Sequence, residues 1–245
     1  MLHNSKFFSG IILITLVLFC GPVWGLSLSL DSDSWNGEHS GGSEPAVTQD
    51  ADGIRINGSG YRTYTWLRSE DSFNLQDAVI NMKWMAHGGS GYNYANFRVG
   101  AGYTYDHPTL GNYPSLLANQ GFMTTHHSWD GSKVISSDTW YYSTIVITPD
   151  RQVTASTTTG DYANEGGTPF YSWSYDIAET NWSAMSDANI IAYFNDNYAS
   201  TSTWLKLGEV MIDQTNPVPE PATMFLLGTG LVGLAGAHRK KNRKG

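Results

Sequence analysis

Short apolar and aromatic runs recur through the middle of the chain, rich in Tyr, Trp, Thr, Ile and Val and cut apart by Gly, Asn, Asp and Pro clusters. That pattern is the mark of strands ended by turns. It predicts strands at Gly53–Asn57, Tyr61–Leu67, Ala78–Met85, Ala95–Tyr105, Gly121–His127, Trp140–Thr148, Gln152–Thr158, Phe170–Tyr175, Ala188–Phe194 and Trp204–Ile212. No convincing helical period separates them, and helix is expected only as a turn over Thr180–Met185. About ten short strands without helices imply an all-β sandwich or barrel.

Two local patterns fix more than the class. Thr148-Pro149-Asp150-Arg151 separates two runs closely enough for a hairpin, and a Pro at that place pre-sets φ for the turn. In the last run Leu205 and Leu207 share one face, whereas Val210 and Ile212 have the opposite phase. A bulge at Gly208-Glu209 would return all four to the core. Trp204 and Lys206 on the other face favour the bulge over a strand buried on both sides.

The ends of the chain break the strand pattern. Lys6 precedes an apolar run from Phe7 to Phe19, and Val23-Trp24-Gly25 places small residues at the −3 and −1 positions of a cleavage site. Residues 1–25 are therefore expected to be a signal peptide, helical while it lasts, cut after Gly25. Phe19 is too bulky to precede a lipidated Cys20, so the chain's single cysteine leaves with the signal. The mature protein then has no disulfide.

At the other end, Pro217, Pro219 and Pro221 exclude a helix or a central strand and leave an extended handle. Ala222 to Ala237 follows without a charge, and Arg239, Lys240, Lys241, Arg243 and Lys244 close the chain. Sixteen helical residues reach about 24 Å, slightly short of a ~30 Å hydrocarbon core, so a single marginal membrane-spanning helix is expected. The basic residues would hold the C-terminus in the cytoplasm and leave the body outside. Gly228-Thr229-Gly230-Leu231-Val232-Gly233 matches a dinucleotide-binding pattern, but the chain ends before the acid that pattern needs. Its glycines suit close packing of a membrane helix instead.

Val218-Pro219-Glu220-Pro221-Ala222-Thr223, Leu226-Leu227-Gly228-Thr229-Gly230-Leu231 and Arg239-Lys240-Lys241 together resemble a PEP-CTERM sorting signal, with Pro219, Glu220 and Pro221 as the sorting motif. The resemblance implies export through the inner membrane of a Gram-negative bacterium and transient retention in that membrane. It further implies processing by an exosortase, then display at the cell surface or extracellular release. The expected organisation is a signal peptide (1–25), a β-sandwich domain (26–216) and a sorting signal (217–245).

Charge narrows the partners of the body. Of fourteen Lys and Arg, Lys6 and the five in the tail fall outside it, leaving eight; of twenty-two Asp and Glu, only Glu220 does, leaving twenty-one. So acidic a domain gains nothing from counterion release, and nucleic acid is excluded as a partner. Neutral glycans, cation-bridged polymers and free Ca²⁺ remain.

Trp140-Tyr141-Tyr142-Ser143-Thr144-Ile145-Val146-Ile147-Thr148, Arg151-Gln152-Val153-Thr154-Ala155 and the closing strand Leu205 to Asp213 resemble the concanavalin A-like lectin and glucanase sandwich, a jelly-roll. That resemblance implies carbohydrate binding, often with a structural Ca²⁺, and in some members glycan cleavage. It transfers no site residue.

Candidate chemistry must come from the residues themselves. No E-x-D-x-E triplet occurs, so no strand offers an acid and a nucleophile on one face. Asp31-Ser32-Asp33 and Asp50-Ala51-Asp52 alternate, but in Ser- and Gly-rich turns. His126 and His127 are adjacent and would face opposite sides of a strand. No catalytic residue is assigned, and no cofactor is required. A calcium site could use Asp31, Asp33 and Asp213, hard oxygen donors from the two ends of a disulfide-free domain. Trp66, Trp84, Trp140, Trp173 and Tyr193 fall inside strands and are expected in the core or in cross-strand pairs. Tyr103, Tyr105, Tyr113, Trp129 and Asp130 flank loops, and aromatic faces there suit a glycan patch. The expected function is a non-enzymatic surface or matrix protein that associates with exopolysaccharide. The alternatives are a secreted glycan hydrolase or lyase, and a structural matrix protein without ligand.

Overall fold

The computed structural model describes residues 25–41, 44–58, 63–88, 95–108, 111–123, 133–196 and 203–214. In chain order its strands are β1 (Leu26–Ser27), β2 (Trp35–Ser40), β3 (Val47–Asp50), β4 (Gly53–Asn57), β5 (Thr63–Ser69), β6 (Ala78–His87) and β7 (Ala95–His107). Then follow β8 (Gly111–Met123), β9 (Lys133–Val134), β10 (Trp140–Ile147), β11 (Gln152–Thr158), β12 (Tyr171–Asp176), β13 (Asn189–Asp196) and β14 (Trp204–Gln214). The larger sheet runs β12-β11-β10-β6-β14-β4-β3 with β1 beside β14, and the smaller runs β2-β5-β13-β7-β8-β9. Among the described residues, the short β8–β9 pairing alone is parallel. The chain is thus the all-β sandwich its pattern predicts. The expected helical turn is α1 (Glu179–Trp182), continued by a 3-10 turn at Ser183–Asp187.

Period-two burial builds the core between the sheets. Ile80, Met82 and Trp84 of β6, Ile145 and Ile147 of β10, and Ile54 and Ile56 of β4 face Leu67, Phe97, Val99, Phe122 and Phe194 of the smaller sheet. The hairpin at Thr148–Arg151 forms as expected, with the Arg151 amide donating to the Thr148 carbonyl at 2.9 Å. The closing strand carries its bulge: the register of β14 on β6 shifts between Leu207 and Glu209. As a result Leu205, Leu207, Val210 and Ile212 are all buried. Gly208 is the bulged residue, and an ideal Cβ there would stand 2.7 Å from the Trp140 ring.

A directed chain of hydrogen bonds crosses this core. Trp84 Nε1 donates to Ser143 Oγ at 2.9 Å, Ser143 Oγ lies 2.6 Å from Thr157 Oγ1, and Thr157 Oγ1 donates to Gln120 Oε1 at 2.5 Å. Since the single Thr157 proton goes to Gln120, Ser143 must donate to Thr157 and accept from Trp84. Gln120 belongs to the smaller sheet and the other three to the larger, so the chain joins the layers.

Several strand assignments differ from the sequence reading, which contains neither β1 nor β9. β2 (WNGEHS), with Trp35 buried in the core, and β3 are edge strands held mainly by backbone ladders to β5 and β4. β8 begins ten residues before the predicted Gly121, because Pro114 is tolerated there: β9 pairs only with Phe122 and Met123, leaving the outer edge of β8 unpaired at Pro114. Trp173 lies on edge strand β12 and is 40% exposed, outside the core. The expected membrane span, Ala222 to Ala237, and all but Gly25 of the signal peptide lie outside the described residues. No described helix is long and apolar enough to cross a membrane.

Candidate functional site

The outer face of the smaller sheet is built from lateral rows. Alternation along each strand sends Tyr64, Trp66 and Arg68 of β5, Ile191, Tyr193 and Asn195 of β13, and Asn96 and Arg98 of β7 away from the main core, since Thr65, Leu67, Ala192, Phe194, Phe97 and Val99 point into it. Register then aligns them across five strands. One row reads Glu38, Trp66, Tyr193, Arg98, Gly121, and the next reads Ser40, Tyr64, Asn195, Asn96, Met123. Trp66, Ile191 and Tyr193 are buried on this outer face, in a cluster separate from the main core.

What buries them is the β7–β8 hairpin. Its ladder shifts between Ala101 and Gly102, leaving Leu117 of β8 as an extra residue, and a bulge bends and twists the bulged strand. Gly102 permits the bend, since an ideal Cβ would lie 1.9 Å from the Ser115 carbonyl oxygen. The start of β8 consequently folds back over its own sheet and touches β2, although β5, β13 and β7 lie between them in the sheet. Tyr113 arrives edge-on to Tyr64, with centroids 5.1 Å apart, and Tyr64 stacks on Tyr193 at 6.0 Å and 22°.

Between the returning hairpin and the sheet lies a groove of about 220 Å³. Tyr64, Tyr113 and Tyr193 form one part of its wall, Asn96, Arg98 and Asn195 another, and Pro114 and Leu116 complete it. Among the described residues no carboxylate lines it. Glu38, the nearest acid of the row, is engaged by Arg68 Nε at 2.6 Å and by Trp66 Nε1 at 3.2 Å. The chemistry on offer is therefore aromatic contact with hydroxyl, amide and guanidinium donors, without an acid–base pair.

The tyrosines share hydrogen bonds through the Tyr113 hydroxyl, and burial, with Tyr113 as the next cause, raises Tyr64 and Tyr193 above their ordinary value of 10.0. The unfolded phenols ionise near pH 10. Stability from these two groups is full below that pH and falls as pH rises through the higher folded values. Burial also raises Tyr162 and Tyr175, so alkaline titration is expected to show these four tyrosines ionising late, together with unfolding; tyrosinate absorbance alongside circular dichroism measures it, and ionisation of all tyrosines near pH 10 with the fold intact would refute the burial.

The other outer face differs. On the larger sheet Arg55 covers Trp204 at 5.4 Å and His87 stacks on that ring at 5.6 Å, while Lys83 and Lys206 cover Trp140 at 4.7 and 5.8 Å. Lys206 is itself paired with Asp50 at 2.6 Å. Those ring faces are already taken by the protein's own cations.

The loop aromatics expected to form a patch are partly gathered. Tyr105 lies 6.1 Å from Tyr103 and 5.8 Å from Tyr113, but Tyr103 leans on the main core and Tyr105 is exposed beyond the groove. Trp129 and Asp130 lie outside the described residues. Tyr64, Tyr193, Arg98, Asn96 and Asn195 were not anticipated; the alternation that sends Tyr64, Tyr193 and Asn195 to one face of their strands was the available signal. The expected calcium donors do not assemble. Among the described residues no three His, Cys, Asp or Glu side chains come together as metal ligands. Asp31 instead accepts from Ser29 Oγ at 2.5 Å and from the amides of Asp33 and Ser34 at 3.0 and 2.8 Å, which lowers its pKa. The Asp213 carboxylate packs against Gly25.

Comparison with known proteins agrees with the two halves of this description. Residues 217–240 match the family described as the PEP-CTERM protein-sorting motif. No curated protein matches the chain. Among solved structures it is similar to the xylan-binding module CBM15 (13% identity, 80% of this chain and 99% of that one, TM-score 0.42). It is also similar to lectin II from Ulex europaeus (7%, 78% and 97%, 0.47) and to a protein of unknown function from Shewanella oneidensis MR-1 (12%, 78% and 83%, 0.45). These likenesses are of fold alone.

Proposed function

We propose that this is an exported surface protein whose sandwich holds a polysaccharide non-covalently in the groove under the β7–β8 hairpin. The sorting signal at 217–240 supports export, exosortase processing and delivery to the surface. The observation that carries binding is the groove itself, whose described lining sets three tyrosines with Asn96, Asn195 and Arg98 and includes no acid. Aromatic faces take the apolar C–H side of a sugar while amides and hydroxyls orient its hydroxyl groups. At about 220 Å³ the groove is below the ~300–1,000 Å³ of drug-sized pockets and suits one sugar unit of a longer chain.

The full chain, purified in a sugar-free non-ionic detergent, is expected to be retarded in affinity electrophoresis through the producing cell's own exopolysaccharide. Tyr64→Ala and Tyr113→Ala should each weaken retardation by about tenfold, as for loss of an aromatic contact with its hydrogen bond. Unchanged retardation in both variants moves the site elsewhere. No retardation of the wild-type protein in any polysaccharide removes the proposal.

A further inference from the structure

The lining of the groove points beyond sugars in general to one class of sugar. The body carries twenty-one acidic residues against eight basic ones, yet among the described residues no acid lines this groove and one of the few cations does. Arg98 projects from the middle of the row, between Tyr193 on β13 and Gly121 on β8. Its side chain lies along Gly121, with Cγ and Nε 3.6 and 3.7 Å from the position of an ideal Cβ, an ordinary van der Waals contact. The acid of this row that could neutralise a guanidinium, Glu38, is three strands away and is held by Arg68. Arg98 remains exposed and lines the groove together with the three tyrosines, Asn96 and Asn195.

We infer that the groove selects a carboxylate-bearing sugar, a uronic acid unit of an acidic polysaccharide, with Arg98 binding the carboxylate and Tyr64 and Tyr113 contacting the ring. This rests on the reading of the groove as a glycan site. A planar guanidinium matches a carboxylate by two parallel N–H···O bonds, which an ammonium cannot reproduce. The lining suits that anion twice over, by supplying donors and by withholding acids. Elsewhere the domain repels a polyanion, so the preference must be local: without Arg98 the acidic polymer should become the worse ligand.

The test compares polygalacturonate with its carboxyl-reduced, neutral form, using the full chain at fixed ionic strength. Wild-type protein is expected to prefer the polyuronate by about ten- to a hundredfold, the range for a hydrogen-bonded charged contact. Arg98→Ala should lose that preference and bind the neutral polymer more tightly than the acidic one, while Arg98→Lys should recover only part of it. Free galacturonate should compete at concentrations where acetate does not, which separates an acidic sugar from a bare carboxylate. Equal binding of both polymers by wild-type protein, weakened by Tyr64→Ala, would overturn the acidic preference and leave the glycan groove standing. An Arg98→Ala protein that keeps the wild-type preference would overturn the role of Arg98. Absence of binding to both polymers and to the producer's own exopolysaccharide would remove the groove and the preference together.

Discussion

Trp84→Ala is expected to lower the unfolding free energy by about 3–5 kcal/mol, the range for truncating a fully buried aromatic residue. Trp84 has no exposed surface and packs on Phe122 at 5.0 Å and Tyr141 at 5.2 Å, one ring from each sheet. Its indole N–H also starts the hydrogen-bond chain that ends at Gln120. Against a total stability of roughly 5–15 kcal/mol, that single loss removes about a fifth of the stability or more. Thr157→Val separates packing from polarity. It keeps the shape but leaves Gln120 Oε1 without its donor and Ser143 without its acceptor, for an expected loss of about 1–3 kcal/mol. Urea unfolding followed by circular dichroism measures both. A Trp84→Ala loss below about 1 kcal/mol would show that the cavity collapses freely and that the core does not depend on this ring.

Deleting Gly208 should prevent folding altogether. With the extra residue gone, everything after Leu207 changes face. Val210 and Ile212 would turn outward while Glu209, Met211 and Asp213 turned toward the core. Exposing the two apolar side chains forfeits about 1.5–3 kcal/mol each, and burying an unpaired carboxylate costs several more. The sum is comparable to the whole stability of a domain. The expected observation is a protein without a cooperative thermal transition. A cooperative melt close to that of the wild type would mean that the register error is absorbed elsewhere, and would remove the bulge from the list of features that define the fold.

The bulge was legible because apolar residues on β14 carry their phase openly: two leucines, one glycine, then two aliphatics out of step. The hairpin at 148–151 was legible from its proline. β2 was not, since WNGEHS has neither apolar alternation nor β-branched residues and is held by the ladder that β5 offers it and by the single buried ring of Trp35. The first half of β8 was hidden by Gly111, Asn112 and Pro114, residues that ordinarily end strands. The groove suffered most from that gap. Tyr105 and Tyr113 could be flagged as flanking a loop, but nothing local says that this loop returns across the outer face of its own sheet. Without the return, Tyr64 and Tyr193 look like ordinary cross-strand pairs, and Arg98 like one more solvated charge. Two aspartates separated by one residue in a turn, such as Asp31 and Asp33, look like metal donors until the Asp31 carboxylate is seen accepting from Ser29 and from the two amides of Asp33 and Ser34.

The place of β14 has a mechanical consequence. It is the last strand before the sorting segment, yet it lies inside its sheet, paired with β6 on one side and with β4 and β1 on the other. Ladder hydrogen bonds run perpendicular to the strands. A pull on the domain through its C-terminal end therefore acts along β14 and loads those bonds together, in shear, instead of peeling them one at a time from an edge. A chain held by residues 217–240 while its groove grips a polymer would carry the tension through its best-secured strand.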